Sequence, residues 1–203
     1  MIFGKPKFYA SLEEAEAAPG INKVRRLAVH DLDIGASVER IVRFCHLEEL
    51  YFAWNRSATE LPVELLFLKR LKVFSVLNNP LKEIPEWLCE LNHLEKLEIR
   101  GTNIVEVPSC IEKLSNLRYL ELANNRLLHI PSQIGRLPRL RTLNLSENPI
   151  EIVPDEILMS PSIKTLDLLG TALPEAEVKR IKSLYPMSAV SSGYIEPSTR
   201  FYR

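Results

Sequence analysis

The chain has 203 residues, 46% of them hydrophobic and 26% charged, which suits one large globular domain or two small ones. Its 26 Lys and Arg balance 26 Asp and Glu, so no net field favours nucleic acid or an anionic membrane. No apolar run approaches the roughly 18 residues that a membrane span requires.

Residues 1–23 read as an N-terminal capping segment. They carry acids where a secretory signal would be apolar, so no cleavable signal is expected and a cytoplasmic location follows. Ser11-Leu12-Glu13-Glu14 matches a capping box, with Ser11 as N-cap and Glu14 three residues on. It predicts a helix to about Ala18, stopped by Pro19-Gly20.

From Val24 onward one unit recurs. Its copies start at Val24, Leu47, Leu71, Leu94, Leu117, Leu140 and Ile163, giving seven repeats. The spacing is 23 residues from Leu71 on and 24 between Leu47 and Leu71, so one residue is inserted, near Arg56–Thr59. Each unit opens as LxxLxL, and the alternation in Leu97–Ile99, Leu120–Leu122 and Leu143–Leu145 predicts a short strand. Asn55, Asn79, Asn125 and Asn148 follow, side chains able to donate and accept at a turn inside a stack. Thr102 and Thr171 take that place after Gly101 and Gly170. Pro62, Pro85, Pro108, Pro131 and Pro154 then predict the first turn of a helical or 3₁₀ return. Apolar residues three and six positions later, such as Ile134 and Leu137, face it inward.

The ends depart from the pattern, as an open stack requires caps. In the first repeat Leu32 stands where Asn belongs, and Ser37 to Cys45 reads as a fuller helix with Val38, Ile41 and Phe44 inward. Pro174-Glu175 opens a closing helix with Val178, Ile181 and Leu184-Tyr185 as its stripe, ended by Pro186. The solenoid and its closing helix thus occupy residues 24–186. Residues 187–203 form a tail with a short strand near Ala189-Val190 and the aromatics Tyr194, Phe201 and Tyr202.

The pattern LxxLxLxxNxLxxIPxxIxxLxx resembles the leucine-rich repeat in its 23-residue subtype, over about Val24 to Pro186. The lead-in SLEEAEAAP and the closing helix are similar to those of bacterial members. The resemblance implies an α/β solenoid that is curved, with parallel strands on the concave face, short helical segments on the convex face and helical caps. It also implies recognition of a protein or peptide, as an interaction module or scaffold.

No nucleotide loop, HExxH, GxSxG or paired CxxC motif is present, so no enzymatic activity, cofactor or metal is expected. Cys45, Cys89 and Cys110 are an odd number without close pairing, which suits a reducing compartment. Cys89 and Cys110 occupy different positions of neighbouring units and read as unpaired structural thiols. His46 and His93 share a unit position, but two strand spacings, roughly 10 Å, are too far for one ion without other ligands.

Positions flanking the strand leucines are free of packing duty. One column reads Arg26, Glu49, Val73, Lys96, Tyr119, Thr142, Thr165. The central column reads Ala28, Tyr51, Ser75, Glu98, Glu121, Asn144, Asp167. The third reads His30, Ala53, Leu77, Arg100, Ala123, Ser146, Leu169, with Trp54 and Asn78 just beyond. Tyr51, Trp54, Val73, Leu77 and Tyr119 are apolar or aromatic at exposed positions, and Lys96, Glu98, Arg100 and Glu121 rim them, as at protein interfaces. A protein or peptide partner is expected there, with no nucleic acid and no membrane; oligomeric state stays open. The alternative role is a bacterial effector or regulator acting on another organism's proteins, secreted without a cleavable signal. Along one edge run Arg25, Glu48, Lys72, Glu95, Arg118, Arg141, Lys164, for which cross-strand ion pairing is the favoured account.

Overall fold

The computed structural model describes residues 6–185 and 189–190. Its framework is a single sheet of nine parallel strands in chain order, each hydrogen-bonded to the next. The seven repeat strands are β2 (Arg26–His30), β3 (Glu49–Ala53), β4 (Val73–Leu77), β5 (Lys96–Arg100), β6 (Tyr119–Glu121), β7 (Thr142–Asn144) and β8 (Thr165–Leu168). Two more strands flank them: β1 (Phe8–Tyr9) pairs with β2, and β9 (Ala189–Val190) pairs with β8. The remainder of the tail and Pro186 lie outside the described residues.

The period-two pattern sends Leu27, Leu50, Phe74, Leu97, Leu120, Leu143 and Leu166 into the core, all fully buried. One coil alone would leave its strand unpaired and both faces of its core layer wet; stacking removes both defects. Returns are 3₁₀ at Val63–Phe67, Glu86–Glu90, Ser109–Lys113 and Ser132–Arg136. The prolines stand just before these turns rather than inside them, and their carbonyls accept the first return bonds, as from Leu88 N–H to Pro85 O (3.0 Å). Two returns are α-helical: α2 (Ile34–Val42) and α3 (Asp155–Leu158). Helix α2 begins before Ser37 because Asp33 caps it, accepting the Ala36 N–H at 3.0 Å.

The asparagines form a buried ladder between strands and returns. Asn125 Nδ2 donates to Ile99 O of the preceding coil and to Leu122 O of its own, each at 2.8 Å. Its Oδ1 accepts the Thr102 N–H at 3.1 Å. Asn148 repeats the pattern one coil on, receiving the Leu127 N–H at 3.1 Å. Leu32, which replaces Asn, keeps only the backbone half of the ladder: its N–H donates to Asn55 Oδ1 at 3.0 Å, as the Asn55 N–H does to Asn79 Oδ1 at 2.8 Å. Each amide thereby satisfies backbone groups that could find no water in the core.

The ends close as separate devices. Helix α1 (Leu12–Glu16) is capped by Ser11 and ends two residues before Ala18. Helix α4 (Glu175–Leu184) buries Val178 and Ile181 against the last coil, while Leu184 is exposed and does not extend the stripe. Glu177 accepts the Val153 N–H at 3.1 Å, and Arg180 binds Glu177 and Val153 O, tying helix to solenoid.

One expectation is corrected. Cys89 and Cys110 are joined as a disulfide, with Cα atoms 5.9 Å apart. Their different unit positions suggested separation, but both lie in returns, Glu86–Glu90 and Ser109–Lys113, that stack side by side on the outer face. Cys45 remains a free, exposed thiol.

Candidate recognition face

Strand register builds the face directly. Arg26, Glu49, Val73, Lys96, Tyr119, Thr142 and Thr165 are paired strand to strand, and so are Ala28, Tyr51, Ser75, Glu98, Glu121, Asn144 and Asp167. The third row runs from His30 through Ala53 and Leu77 to Arg100.

The aromatic end is organised around Tyr51. Its hydroxyl donates to Glu49 Oε2 at 2.9 Å, and Glu49 also receives Arg26 Nε at 2.7 Å. Partial burial, aided by the Glu49 hydrogen bond, pushes the Tyr51 phenol up to about 12. Phe8 meets the Tyr51 ring edge-on at 5.8 Å, and the Arg26 guanidinium lies 5.3 Å from the Phe8 ring. The sequence reading passed over Phe8 because a two-residue strand has no periodicity to detect. Val73 and Leu77 stand half-buried on the next strand, β4. Between them Ser75 is fully buried, its hydroxyl without a partner among the described residues.

Farther along, Tyr119 donates to Glu121 Oε2 at 2.9 Å, and burial likewise pushes its phenol up to about 12. Lys96 Nζ sits 2.9 Å from Glu98 and 4.9 Å over the Tyr119 ring. Glu121 is 5% exposed, since Tyr119, Asn144 and the Ala123 N–H all donate to it. It positions Tyr119 more than it offers a rim charge. Arg100 is exposed.

Trp54 has a further distinction. The eighth residue of every repeat has positive φ: Asp31, Trp54, Asn78, Gly101, Asn124, Glu147 and Gly170. Gly, Asn and Asp adopt this left-handed conformation at low cost; a bulky side chain does so under strain. At Gly101 a Cβ would also meet Asn78 Oδ1 at 2.3 Å. Trp54, with φ of 58° and 45% exposure, is held there with its indole in the open. Its backbone N–H donates to Leu77 O at 3.1 Å, fixing the main chain beside β4. The inserted residue follows at once: Arg56 and Ser57 are exposed before Ala58 turns back into the core.

The sequence of five Gly, Asn or Asp at this eighth position carried the signal for a left-handed turn, against which Trp54 stands out. Among the described residues no group of His, Cys, Asp and Glu could hold a metal ion.

A family model described as "Leucine rich repeat" matches residues 108–173. No curated protein matches the chain in sequence. Among solved structures, the chain is similar to a leucine-rich repeat protein of Leptospira interrogans, at 27% identity and a TM-score of 0.73 over 84% of this chain and 43% of that one. An internalin from Listeria monocytogenes shares the fold at 20% identity and a TM-score of 0.69, over 98% of this chain and 56% of that one. The plant peptide hormone receptor RGFR1, solved in complex with RGF2, is 27% identical with a TM-score of 0.56, over 68% of this chain and 23% of the receptor. The chain thus spans 43% and 56% of the two bacterial proteins. The fold is an α/β leucine-rich repeat solenoid, and the family model itself covers about a third of the chain.

Proposed function

We propose that this protein is a non-enzymatic recognition module that binds a partner protein or peptide on its concave face. The observation that carries the reading is Trp54. It carries a half-exposed indole on a left-handed backbone position, near Tyr51 and Leu77, where Asn or Gly would fit freely, and backbone strain of this kind collects at functional sites. Tyr51, Val73 and Leu77 supply the apolar centre, with Phe8 at its edge. Lys96, Glu98, Arg100 and Tyr119 supply a polar flank, with the buried Glu121 holding the Tyr119 hydroxyl, the anatomy of a protein interface. Seven strands give an arc of roughly 29 Å, wide enough for about 800 Å² of contact. Solved relatives support the class of role: the plant receptor was solved with its RGF2 ligand.

Changing Tyr51, Trp54 and Tyr119 together to Ala should abolish capture of the partner from the native cell while the circular dichroism spectrum is preserved. Capture equal to the unsubstituted chain would defeat the proposal.

A second reading, action on another organism's proteins after export, is favoured by one observation. The Cys89–Cys110 disulfide suits an oxidising compartment and removes the cysteine argument for a cytoplasmic one. Fractionating native cells under thiol-blocking conditions tests it: reduced Cys89 and Cys110 in purely cytosolic protein would rule it out.

A further inference from the structure

The second residue of each repeat forms a column at the start of the strands, at the opposite end from Trp54. Its signs alternate through five coils: Arg25, Glu48, Lys72, Glu95, Arg118. The structure pairs these across coils, with Arg25–Glu48 at 3.7 Å, Lys72–Glu48 at 2.7 Å and Arg118–Glu95 at 3.7 Å. The alternation then stops. Arg141 and Lys164 continue the column, linked by backbone hydrogen bonds from Arg141 N to Arg118 O (2.9 Å) and from Lys164 N to Arg141 O (2.7 Å). Neither has an acidic partner among the described residues, so ion pairing within the chain, the favoured sequence account, covers only the first five positions.

A concavity of about 370 Å³ opens here, lined by Arg118, Arg139, Arg141 and Lys164 between the walls of Pro138 and Pro161. Two of its cations are oriented without being neutralised. Asn116 Oδ1 accepts from Arg139 at 2.6 Å, and Pro161 O accepts from Lys164 Nζ at 2.8 Å. Three cations without an acidic partner among the described residues, Arg139, Arg141 and Lys164, thus line a small hollow, with Arg118, shared with Glu95, at its edge.

We propose that this hollow binds a small, multiply charged oxyanion of the phosphate class. The guanidinium forks of Arg139 and Arg141 offer paired N–H donors matched to such an anion, Lys164 adds a point charge, and Arg118 contributes what its pairing with Glu95 leaves over. A monovalent carboxylate would leave most of this charge unanswered, and a folded segment would not enter so small a volume. The group can arrive free or on a lipid headgroup; the chemistry recognised is the same.

The test titrates the full chain with inorganic pyrophosphate by calorimetry, and separately with vesicles containing a phosphorylated inositol lipid. We expect binding in at least one arm, weakened at least tenfold in Arg141→Gln and in Lys164→Gln, and falling as salt rises. Arg136→Gln, at an exposed residue paired with Glu112 elsewhere on the chain, serves as the control and should leave binding unchanged. Pyrophosphate alone marks a free anion, and vesicles alone mark a headgroup. No binding in either arm overturns the proposal, as does undiminished binding in the two variants or tighter binding of an oligo-aspartate peptide. Arg141 and Lys164 are exposed, so both variants should fold, which thermal melts verify.

Discussion

At the residue scale the protein separates positions that specify the fold from positions left over for recognition. Trp54 breaks that division, because it occupies a backbone conformation the fold demands but its side chain resists. Trp54→Asn should therefore raise stability by about 1 kcal/mol, the typical relief of left-handed strain, measured by denaturant unfolding. The two half-buried tyrosines of the strand face give a second readout. Tyr51 and Tyr119 are pushed up to about 12, so phenolate absorbance should show them ionising later than an ordinary tyrosine near 10. Because the folded state holds these protons longer than the unfolded chain, their contribution is complete below pH 10 or so and is lost as pH rises toward 12. These hydrogen-bonded roles were not legible in the sequence. Tyr119 and Glu121 stood two apart in different columns, and only the folded chain shows the phenol turned onto the carboxylate.

At the element scale the repeat was legible because one arithmetic rule governs it. The leucine alternation places strands β2–β8; the first two columns derived from it match the observed register throughout, and the third from His30 to Arg100. Legibility fails where a short element owes its existence to a neighbour. Strand β1 is two residues that pair only because β2 presents an open edge. Gly135 is another such case: a Cβ there would lie 2.1 Å from the Glu156 carbonyl oxygen of the next return, a proximity no local pattern announces. The closing helix makes its own prediction. The Arg180 hydrogen bond holds Glu177 below the usual carboxylate range, with the Val153 N–H helping. A depressed folded value stabilises above the ordinary pKa and is lost as pH falls through it. Glu177→Gln should thus flatten the loss of stability below about pH 4.5, followed by thermal melts across the acid range.

At the scale of the whole molecule the coils act as a stack whose stability is the sum of neighbouring contacts. The Cys89–Cys110 disulfide ties two adjacent returns across 21 residues, so reduction should lower unfolding stability by about 3 kcal/mol without dissolving the solenoid. Complete loss of helical and strand signal in dithiothreitol would contradict that. The pairing escaped sequence reasoning because unit positions describe the strand face well and the staggered outer returns poorly. The residues of the proposed recognition face were more accessible: Tyr51, Trp54, Val73 and Leu77 stood out as apolar residues on the strand face, while Phe8 joined them only through β1. The most direct measurement is the affinity of the captured partner for the unsubstituted chain and for Trp54→Asn, determined by titration alongside the melting temperature of each. A hot-spot role predicts at least thirtyfold weaker binding, corresponding to about 2 kcal/mol, in a variant as stable as the original or more so. Unchanged affinity in that variant would contradict it.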